Sequence, residues 1–234
     1  MENTADVSTK SKIWEMINPF IYCIVCLIIC TAVVQMIFSG IAIANEDVAG
    51  IYRATTASTL TATLVFYVVT VILKRKTCIY DKFKYGHESK HLPVWKLVIA
   101  VAICFFVAFV ADKLIDMSRI GEIFTGYSSN TTFDGQSPVL MILATVIFGP
   151  IAEEIIFRWM IYGRMRFYLG KKWAVVLSAI LFGLYHGNMV QFIYCTILGI
   201  VFAIAYEKSG NIFVTIIAHM LINLEGIIAI LQLI

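Results

Sequence analysis

The chain is a series of long apolar runs separated by short polar segments. Three such runs precede residue 137, at about 17–38, 54–73 and 93–113. Each is close to the ~20 residues that an α-helix needs to cross ~30 Å of hydrocarbon. None shows the short alternating pattern of a membrane β-strand. The pattern therefore predicts an all-α, polytopic transmembrane helical bundle.

The apolar runs of the second half are less regular. A fourth span starts at Pro138 and is interrupted by Gly149-Pro150, which should kink it or begin a new helical segment. The stretch 173–206 is too long for one span and short for two. Residues 187–188, Gly-Asn, are expected to divide it into a compact hairpin, and residues 207–211 are expected to form a turn.

The last apolar run, 212–234, contains Glu225-Gly226. It is either one long helix or a span followed by a short eighth helix, so the bundle has seven to eight spans. Three regions follow from this reading: an N-terminal cytoplasmic or interfacial segment, a three-span region, and a membrane region with the remaining spans, at residues 1–16, 17–137 and 138–234.

Composition agrees with a membrane protein. The chain is 60% hydrophobic and 14% charged, whereas soluble domains are ~45–50% apolar and ~25% charged. A net charge of +3 does not indicate binding to nucleic acid. Five of the six cysteines fall inside apolar runs, which favours buried thiols over a disulfide framework.

The distribution of basic residues predicts the orientation. Only Arg53, Lys113 and Arg119 lie on the side of the bundle that does not include the N-terminus. The other fifteen of the eighteen Lys and Arg lie on the N-terminal side, in residues 1–16, 74–96, 158–172 and 207–211. The positive-inside rule then predicts a multi-pass protein of the cell membrane with a cytoplasmic N-terminus.

Polar and ionisable side chains are concentrated in spans four to seven, although such residues are costly at membrane depth and commonly functional. They should converge on one cavity among these spans. Glu154 and Arg158 are four residues apart and can pair across one helix face. Glu153 points about 100° away and is freer to act on another group. The full set is Glu153, Glu154, Arg158, His186, His219 and Asn223.

Three motifs in this region resemble those of the CPBP family. They are Glu153-Glu154-x-x-x-Arg158, Phe182-x-x-x-His186 and His219-x-x-x-Asn223, in that order, within residues 139–224. The family comprises intramembrane proteases of the CAAX prenyl protease 2 type and bacteriocin-processing enzymes, also called Abi.

The resemblance implies intramembrane hydrolysis of a peptide bond. Glu153 would activate the attacking water, and Glu154 would support the site together with Arg158. His186 would help to hold or polarise the water, whereas His219 and Asn223 would bind the oxyanion. This assignment is chemically consistent, since amide hydrolysis needs a base for water and donors for the developing negative charge.

The resemblance leaves the cofactor open. The family is commonly described as metalloproteases, and a Glu with two His could ligate Zn²⁺. The chain has no HExxH pair on one helix, and a metal-free glutamate mechanism, which also fits, is slightly favoured. The expected partners are a peptide or lipidated-protein substrate and the lipid bilayer, without nucleic acid; the oligomeric state is open.

Two other functions compete with a protease. A bacteriocin immunity or binding protein of this fold would not need the complete polar set. A transporter would have polar residues in both halves of the membrane region, whereas here they cluster in one half.

The basic-residue count places the site toward the cytoplasmic leaflet, but straight helices leave a discrepancy in depth. His186 lies about 21 Å from residue 172, and Glu154 lies about 24 Å from Pro138, on the other side. Helix tilt, the kink at Pro150, or continuation of the fourth helix past Arg158 could bring them together.

Overall fold

The computed structural model describes residues 9–44, 92–119 and 138–232, which are almost entirely helical. The predicted second span, 54–73, lies outside these residues. The helices are α1 (Thr9–Ala44), α2 (Val94–Ser118), α3 (residues 138–169), α4 (Lys171–Tyr185), α5 (Met189–Ser209) and α6 (Ile212–Gln232). Helices α1 and α2 both extend beyond the predicted apolar runs 17–38 and 93–113.

Three helices of the described part are long and apolar enough to cross a membrane, namely Val94–Ser118, Met189–Ser209 and Ile212–Ala229. This agrees with an all-α membrane protein. The expected total of seven to eight spans stays a prediction.

Helix α3 is one continuous helical run whose hydrogen-bond register changes twice. Its α-helical segments are Pro138–Met141, Gly149–Glu154 and Gly163–Leu169, and its π-helical segments are Ile142–Phe148 and Ile155–Tyr162. The first two arginines of the basic stretch 158–172 are buried inside the protein. Arg158 is 1% exposed and Arg164 is 4% exposed, because the helix continues and buries both side chains.

The turns agree with the predicted hairpin. Helix α4 ends at Tyr185, and α5 begins at Met189 after Gly187, whose φ is 75°. The side chain of Asn188 caps α5 by accepting a hydrogen bond from the backbone N–H of Gln191 at 2.8 Å.

The two remaining predicted breaks are shorter than expected. Helix α5 continues to Ser209, so the predicted turn at 207–211 reduces to Gly210, whose φ is 63°, and Asn211. Helix α6 passes through Glu225-Gly226 without a break, which selects the one-long-helix reading as far as Gln232.

Continuation of α3 past Arg158 agrees with one of the explanations given for the discrepancy in depth. Helices α3 and α4 reverse direction at Gly170, whose φ of 79° favours glycine. Glu154 lies sixteen residues before Gly170, and His186 lies sixteen residues after it. The two residues are therefore about equally far from the same turn, as one of the three proposed explanations requires.

Close backbone packing joins α4 to α5. A Cβ added to Gly199 would lie 2.8 Å from the Cα of Ala179 and 2.9 Å from its Cβ. A Cβ on Gly183 would lie 2.6 Å from the carbonyl oxygen of Phe192 and 2.2 Å from the hydroxyl of Thr196. Small residues that allow helices to approach closely are typical of helix interfaces in membranes.

Polar contacts join three helices at one end of the bundle. We call this the basic end, because Arg166 and Lys171 lie there. The Glu207 carboxylate accepts a hydrogen bond from the Tyr162 hydroxyl at 2.7 Å. It also pairs with Arg166 and Lys171, each at 2.7 Å. Glu207 of α5 therefore links the end of α3 to the start of α4. At the same end of α3, the Tyr168 hydroxyl donates to Glu15 of α1.

We expect Gly199→Ala to destabilise the protein by roughly 1–3 kcal/mol, because the new methyl group has no room against Ala179. Gly226→Ala is the matched control, since Gly226 lies in a helix and a Cβ there meets nothing within 4 Å. It should leave stability unchanged or raise it by up to ~1 kcal/mol. Thermal unfolding of both variants in detergent measures the difference, and equal unfolding temperatures would contradict the packing described.

Candidate active site

The centre of the site is a buried ion pair within α3. Nε of Arg158 lies 3.0 Å from Oε2 of Glu154, and the side chains are 1% and 0% exposed. The pairing predicted from their four-residue spacing is therefore present. The guanidinium also lies between two aromatic rings, 4.4 Å from the centroid of Phe182 on α4 and 5.2 Å from that of Phe202 on α5.

The ring contacts matter because the ion pair does not satisfy the guanidinium completely. Nε and Nη2 of Arg158 have no well-oriented hydrogen-bond acceptor among the described residues. A desolvated cation over an aromatic face is stabilised by ~2 kcal/mol or more. Through these ring contacts the guanidinium of Arg158 connects α3 to α4 and α5.

Glu154 also holds His219 of α6. Nδ1 of the buried His219 lies 3.1 Å from Oε1 of Glu154, at hydrogen-bond distance. The imidazole ring packs against Phe202 at 5.5 Å and Phe182 at 5.8 Å between centroids, so it contacts the same two rings as Arg158. With Nδ1–H donated to Glu154, the other ring nitrogen has a fixed direction, as in a carboxylate–histidine pair.

That other nitrogen points toward Glu153. Nε2 of His219 lies 3.7 Å from Oε2 of Glu153, whose side chain is 19% exposed. Oε2 of Glu153 is buried and has no hydrogen-bond partner within the described part of the chain. The separation is longer than a direct hydrogen bond, and a gap of this kind between polar groups suits a shared water. The adjacent glutamates thus occupy different environments, as their different helix faces predicted.

His186 approaches the site from the end of α4. Its Nδ1 lies 2.9 Å from the backbone oxygen of Phe182. Its ring packs edge-on against Phe182 at 5.0 Å and against Tyr185 at 5.5 Å. Donation from Nδ1–H to the carbonyl leaves Nε2 as the free nitrogen. Phe182 is therefore the residue through which His186, His219 and Arg158 are connected.

Asn223 makes a contact that the sequence analysis did not anticipate. Its Nδ2 donates a hydrogen bond to the backbone oxygen of Thr145 at 2.8 Å. The backbone N–H of Gly149 donates to the backbone oxygen of Ala144, five residues earlier. In this π-helical register the next oxygen, that of Thr145, would accept a hydrogen bond from the N–H of residue 150. Residue 150 is a proline and has no N–H to donate. Asn223 therefore satisfies a carbonyl that Pro150 leaves without a backbone donor.

The side-chain amide of Asn223 keeps a second N–H beyond the one bound to Thr145. The Thr145 contact thus orients the amide without using all of its donors.

Thr215 is a site residue that the motif analysis missed. It is buried one helical turn before His219 on α6, and its side chain interacts with the Glu154 carboxylate. Its position four residues before His219 was the available signal, because residues at this spacing share a helix face.

A metal ion in this site would have to be held by His, Cys, Asp or Glu side chains. In the three ranges that the structure describes, no group of three or more His, Cys, Asp or Glu side chains is arranged to hold one. A catalytic zinc site uses three protein ligands, and His219 could supply only Nε2 to a metal because its Nδ1 contacts Glu154. Dependence on Zn²⁺ stays open to experiment.

A cavity of about 640 Å³ borders Asn223 and Thr145. Its wall also includes Asp112, Asp116 and Glu225, near the C-terminal ends of α2 and α6. It therefore lies at the end of the bundle opposite to the Glu207 cluster.

Comparison with known proteins supports the resemblance found in the motifs. Residues 135–224 match the family model described as type II CAAX prenyl endopeptidase Rce1-like. The matched region includes all six predicted site residues and Thr215. The match agrees with the resemblance of this region to the CPBP family.

Two bacterial relatives are similar to this chain. The “Putative membrane peptidase YdiL” of Bacillus subtilis (strain 168) is 36% identical over 88 residues, which are 38% of this chain and 36% of the relative. The “UPF0177 protein YxdF” of Lactococcus lactis subsp. lactis (strain IL1403) is 27% identical over 154 residues, which are 62% of this chain and 84% of the relative. The match thus spans only about a third of the first relative. No solved structure matches the chain.

We expect Arg158→Met to destabilise the protein by roughly 3–5 kcal/mol, because it leaves the Glu154 carboxylate buried without its cation. The double variant Arg158→Met/Glu154→Gln removes both charges and should recover part of the loss. Arg166→Met, at a partly exposed pair, should cost about 1 kcal/mol or less. Unfolding in mixed micelles measures the stability of each variant. Equal stability of Arg158→Met and Arg166→Met would contradict the expected order.

A double-mutant cycle can test the contact between Asn223 and the Thr145 carbonyl. Asn223→Ala should cost roughly 0.5–1.5 kcal/mol, because it removes this hydrogen bond from the Thr145 carbonyl. In a Pro150→Ala background the cost should be smaller, since residue 150 then supplies an N–H to that carbonyl.

The control for this cycle is Asn211→Ala, which removes a cap on the backbone N–H of Phe213, outside α3. Its cost should be the same in both backgrounds. The same cost for Asn223→Ala in the two backgrounds would disprove the link to Pro150.

Proposed function

We propose that this chain, whose residues 135–224 match the Rce1-like type II CAAX prenyl endopeptidase family, is an intramembrane endopeptidase. The single observation that carries the proposal is the position of Glu153. Its carboxylate oxygen has no hydrogen-bond partner among the described residues and faces the histidine that Glu154 orients. A general base needs such a free acceptor beside the place where water will bind.

In the proposed mechanism a water molecule lies between Glu153 and Nε2 of His219. Glu153 takes one proton from this water as its oxygen forms a bond to the peptide carbonyl carbon. The C–N bond then breaks, and the amine leaves with the proton that Glu153 has held. The reaction consumes one water and yields a carboxylic acid, which keeps the second proton of the water until it ionises, and an amine.

The proposed roles of the other residues follow from their contacts. Glu154 orients His219 through the Nδ1 contact, and the ring of His219 binds the oxyanion together with Asn223. Arg158 keeps Glu154 ionised inside the bundle. Asn223 offers its second amide N–H to the oxyanion, and Nε2 of His186 accepts a hydrogen bond from the water or the substrate.

The proposed substrate is a peptide or lipidated protein in the bilayer, consistent with the family description. The proposed location is the cell membrane, with a cytoplasmic N-terminus and the site toward the cytoplasmic leaflet. The proposed side rests on the distribution of basic residues, because the cavity that borders Asn223 lies at the opposite end of the bundle. Bacteriocin processing and cleavage after a prenylated cysteine are the two candidate reactions.

A non-catalytic immunity or binding protein receives less support from the site. Binding alone does not need a carboxylate without a hydrogen-bond partner facing a histidine that a second carboxylate orients. The transporter reading gains no support from the comparisons, which match a peptidase family.

We expect Glu153→Gln to lower kcat by about 10²- to 10⁴-fold, because the amide cannot accept the water proton. Its thermal stability should equal that of the wild type, since Oε2 of Glu153 has no hydrogen bond to lose. Glu154→Gln should lower both activity and stability, because Glu154 bonds both Arg158 and His219. The assay follows a quenched fluorogenic peptide in proteoliposomes, in prenylated and unprenylated forms.

The control for the activity assay is Lys172→Gln, an exposed charge change at the start of α4 that should leave turnover unchanged. A parallel assay with a chelator tests for a metal, and the slightly favoured metal-free mechanism requires activity to persist. Wild-type turnover by Glu153→Gln would rule out Glu153 as the base. No cleavage of either peptide by the wild type, while both are bound, would favour the binding-protein alternative.

A further inference from the structure

A second cavity, of about 400 Å³, lies between α2 and α5. Its wall is almost entirely aliphatic and includes Ile99, Ile103, Val201 and Ile204. It runs inward to the thiol of Cys104, which packs against Phe202. We call it the α2–α5 groove. An aliphatic lining of this kind can accept a hydrocarbon chain and offers little to a polar ligand.

The mouth of the groove differs from its wall because two lysines line it. Lys96 lies in the first turn of α2, and Lys208 lies in the last turn of α5. Neither has a carboxylate partner in the part of the chain that the structure describes, in contrast to Lys171 and Arg166, which pair with Glu207. The groove therefore combines an apolar interior with two uncompensated positive charges at one end.

The position of these lysines matches the headgroup region of a bilayer. Lys96 lies 5.3 Å from the ring centroid of the exposed Trp95, and Trp and Lys together are typical of the membrane interface. Both lysines are at the basic end of the bundle, which faces the anionic cytoplasmic leaflet under the orientation predicted from the sequence. Basic pockets between transmembrane helices on that side bind the headgroups of anionic lipids.

We propose that the α2–α5 groove is a binding site for an anionic phospholipid of the surrounding membrane. The phosphate is bound by Lys96 and Lys208, and one acyl chain lies along the aliphatic wall toward Cys104. The complementary charges favour an anionic lipid over a zwitterionic one, because only the former brings a net negative charge to the two ammonium groups. The site is separate from the proposed catalytic residues, so it can be tested without a peptidase assay.

The inner end of the groove gives the bound lipid a structural consequence. Cys104 and Phe202 belong to the same buried cluster as Leu198 of α5 and Ala218 of α6, and Phe202 packs on the Arg158 guanidinium. An acyl chain in the groove would fill the space between α2 and α5 next to this cluster. Binding to the folded state alone should raise the unfolding temperature, with an increase that follows the logarithm of lipid concentration above Kd.

The test measures retention of phosphatidylglycerol and phosphatidylcholine by the purified full-length protein, using native mass spectrometry and thermal shifts in detergent. Wild-type protein should bind phosphatidylglycerol more tightly. Lys96→Gln or Lys208→Gln should each weaken that binding by about fivefold, and the double variant by about 25-fold. Lys172→Gln, an exposed lysine at the same end but outside the groove, is the matched control and should weaken it less than twofold.

A second variant tests the apolar part of the site. Ala205→Leu places a larger side chain on the groove wall and should weaken phosphatidylglycerol binding while leaving both lysines in place. Thermal unfolding without lipid verifies that each variant is folded. Equal affinity for the two lipids, an equal loss from Lys172→Gln, or no effect of Ala205→Leu would each overturn the proposal. Equally tight retention of an uncharged isoprenoid would overturn it too, by making the lysines irrelevant.

Discussion

A single buried cation determines how the second half of this protein is assembled. The guanidinium of Arg158 is 1% exposed and cannot be hydrated, so its charge must be compensated by the protein. Glu154 compensates it within α3, and the rings of Phe182 and Phe202 cover it from α4 and α5. His219 then packs on the same two rings and bonds the same carboxylate. The stability of the helix packing and the geometry of the site thus depend on one set of contacts.

Helix register is the second constraint on the site. The π-helical segments of α3 alter the angular positions of residues on either side of Glu153 and Glu154, and π-helical turns are frequent at functional sites. Pro150 makes the register costly by withholding an N–H, and the amide of Asn223 compensates for it from α6. A residue at the end of the third motif therefore stabilises the helix that carries the first one. This connection gives a physical reason for the two motifs to occur in one chain.

The composition of the site was readable from the sequence because ionisable residues in apolar runs are rare and easily recognised. The pairing of Glu154 with Arg158 followed from their four-residue spacing, and the structure contains it. The contacts between helices could not be predicted from the sequence. Nothing in the spacing of Asn223 indicates the carbonyl of Thr145, which is 78 residues away in the chain. Thr215 and Glu207 were overlooked for the same reason, since their partners lie on other helices.

The sequence by itself determined the class of protein, the helical hairpin between α4 and α5, and the side chains that carry the proposed chemistry. Each of these depends on local properties: the length of an apolar run, a Gly-Asn break, or an ionisable residue within an apolar run. Only the tertiary structure decided that α3 continues past Arg158, which places Glu154 and His186 at equal distances from the Gly170 turn. Burial of Arg158 and Arg164 depends on neighbouring helices, and a basic residue near the end of an apolar run is equally compatible with an interface. Local pattern fixes what each helix contains, whereas the choice of which charges are buried is made when the helices pack.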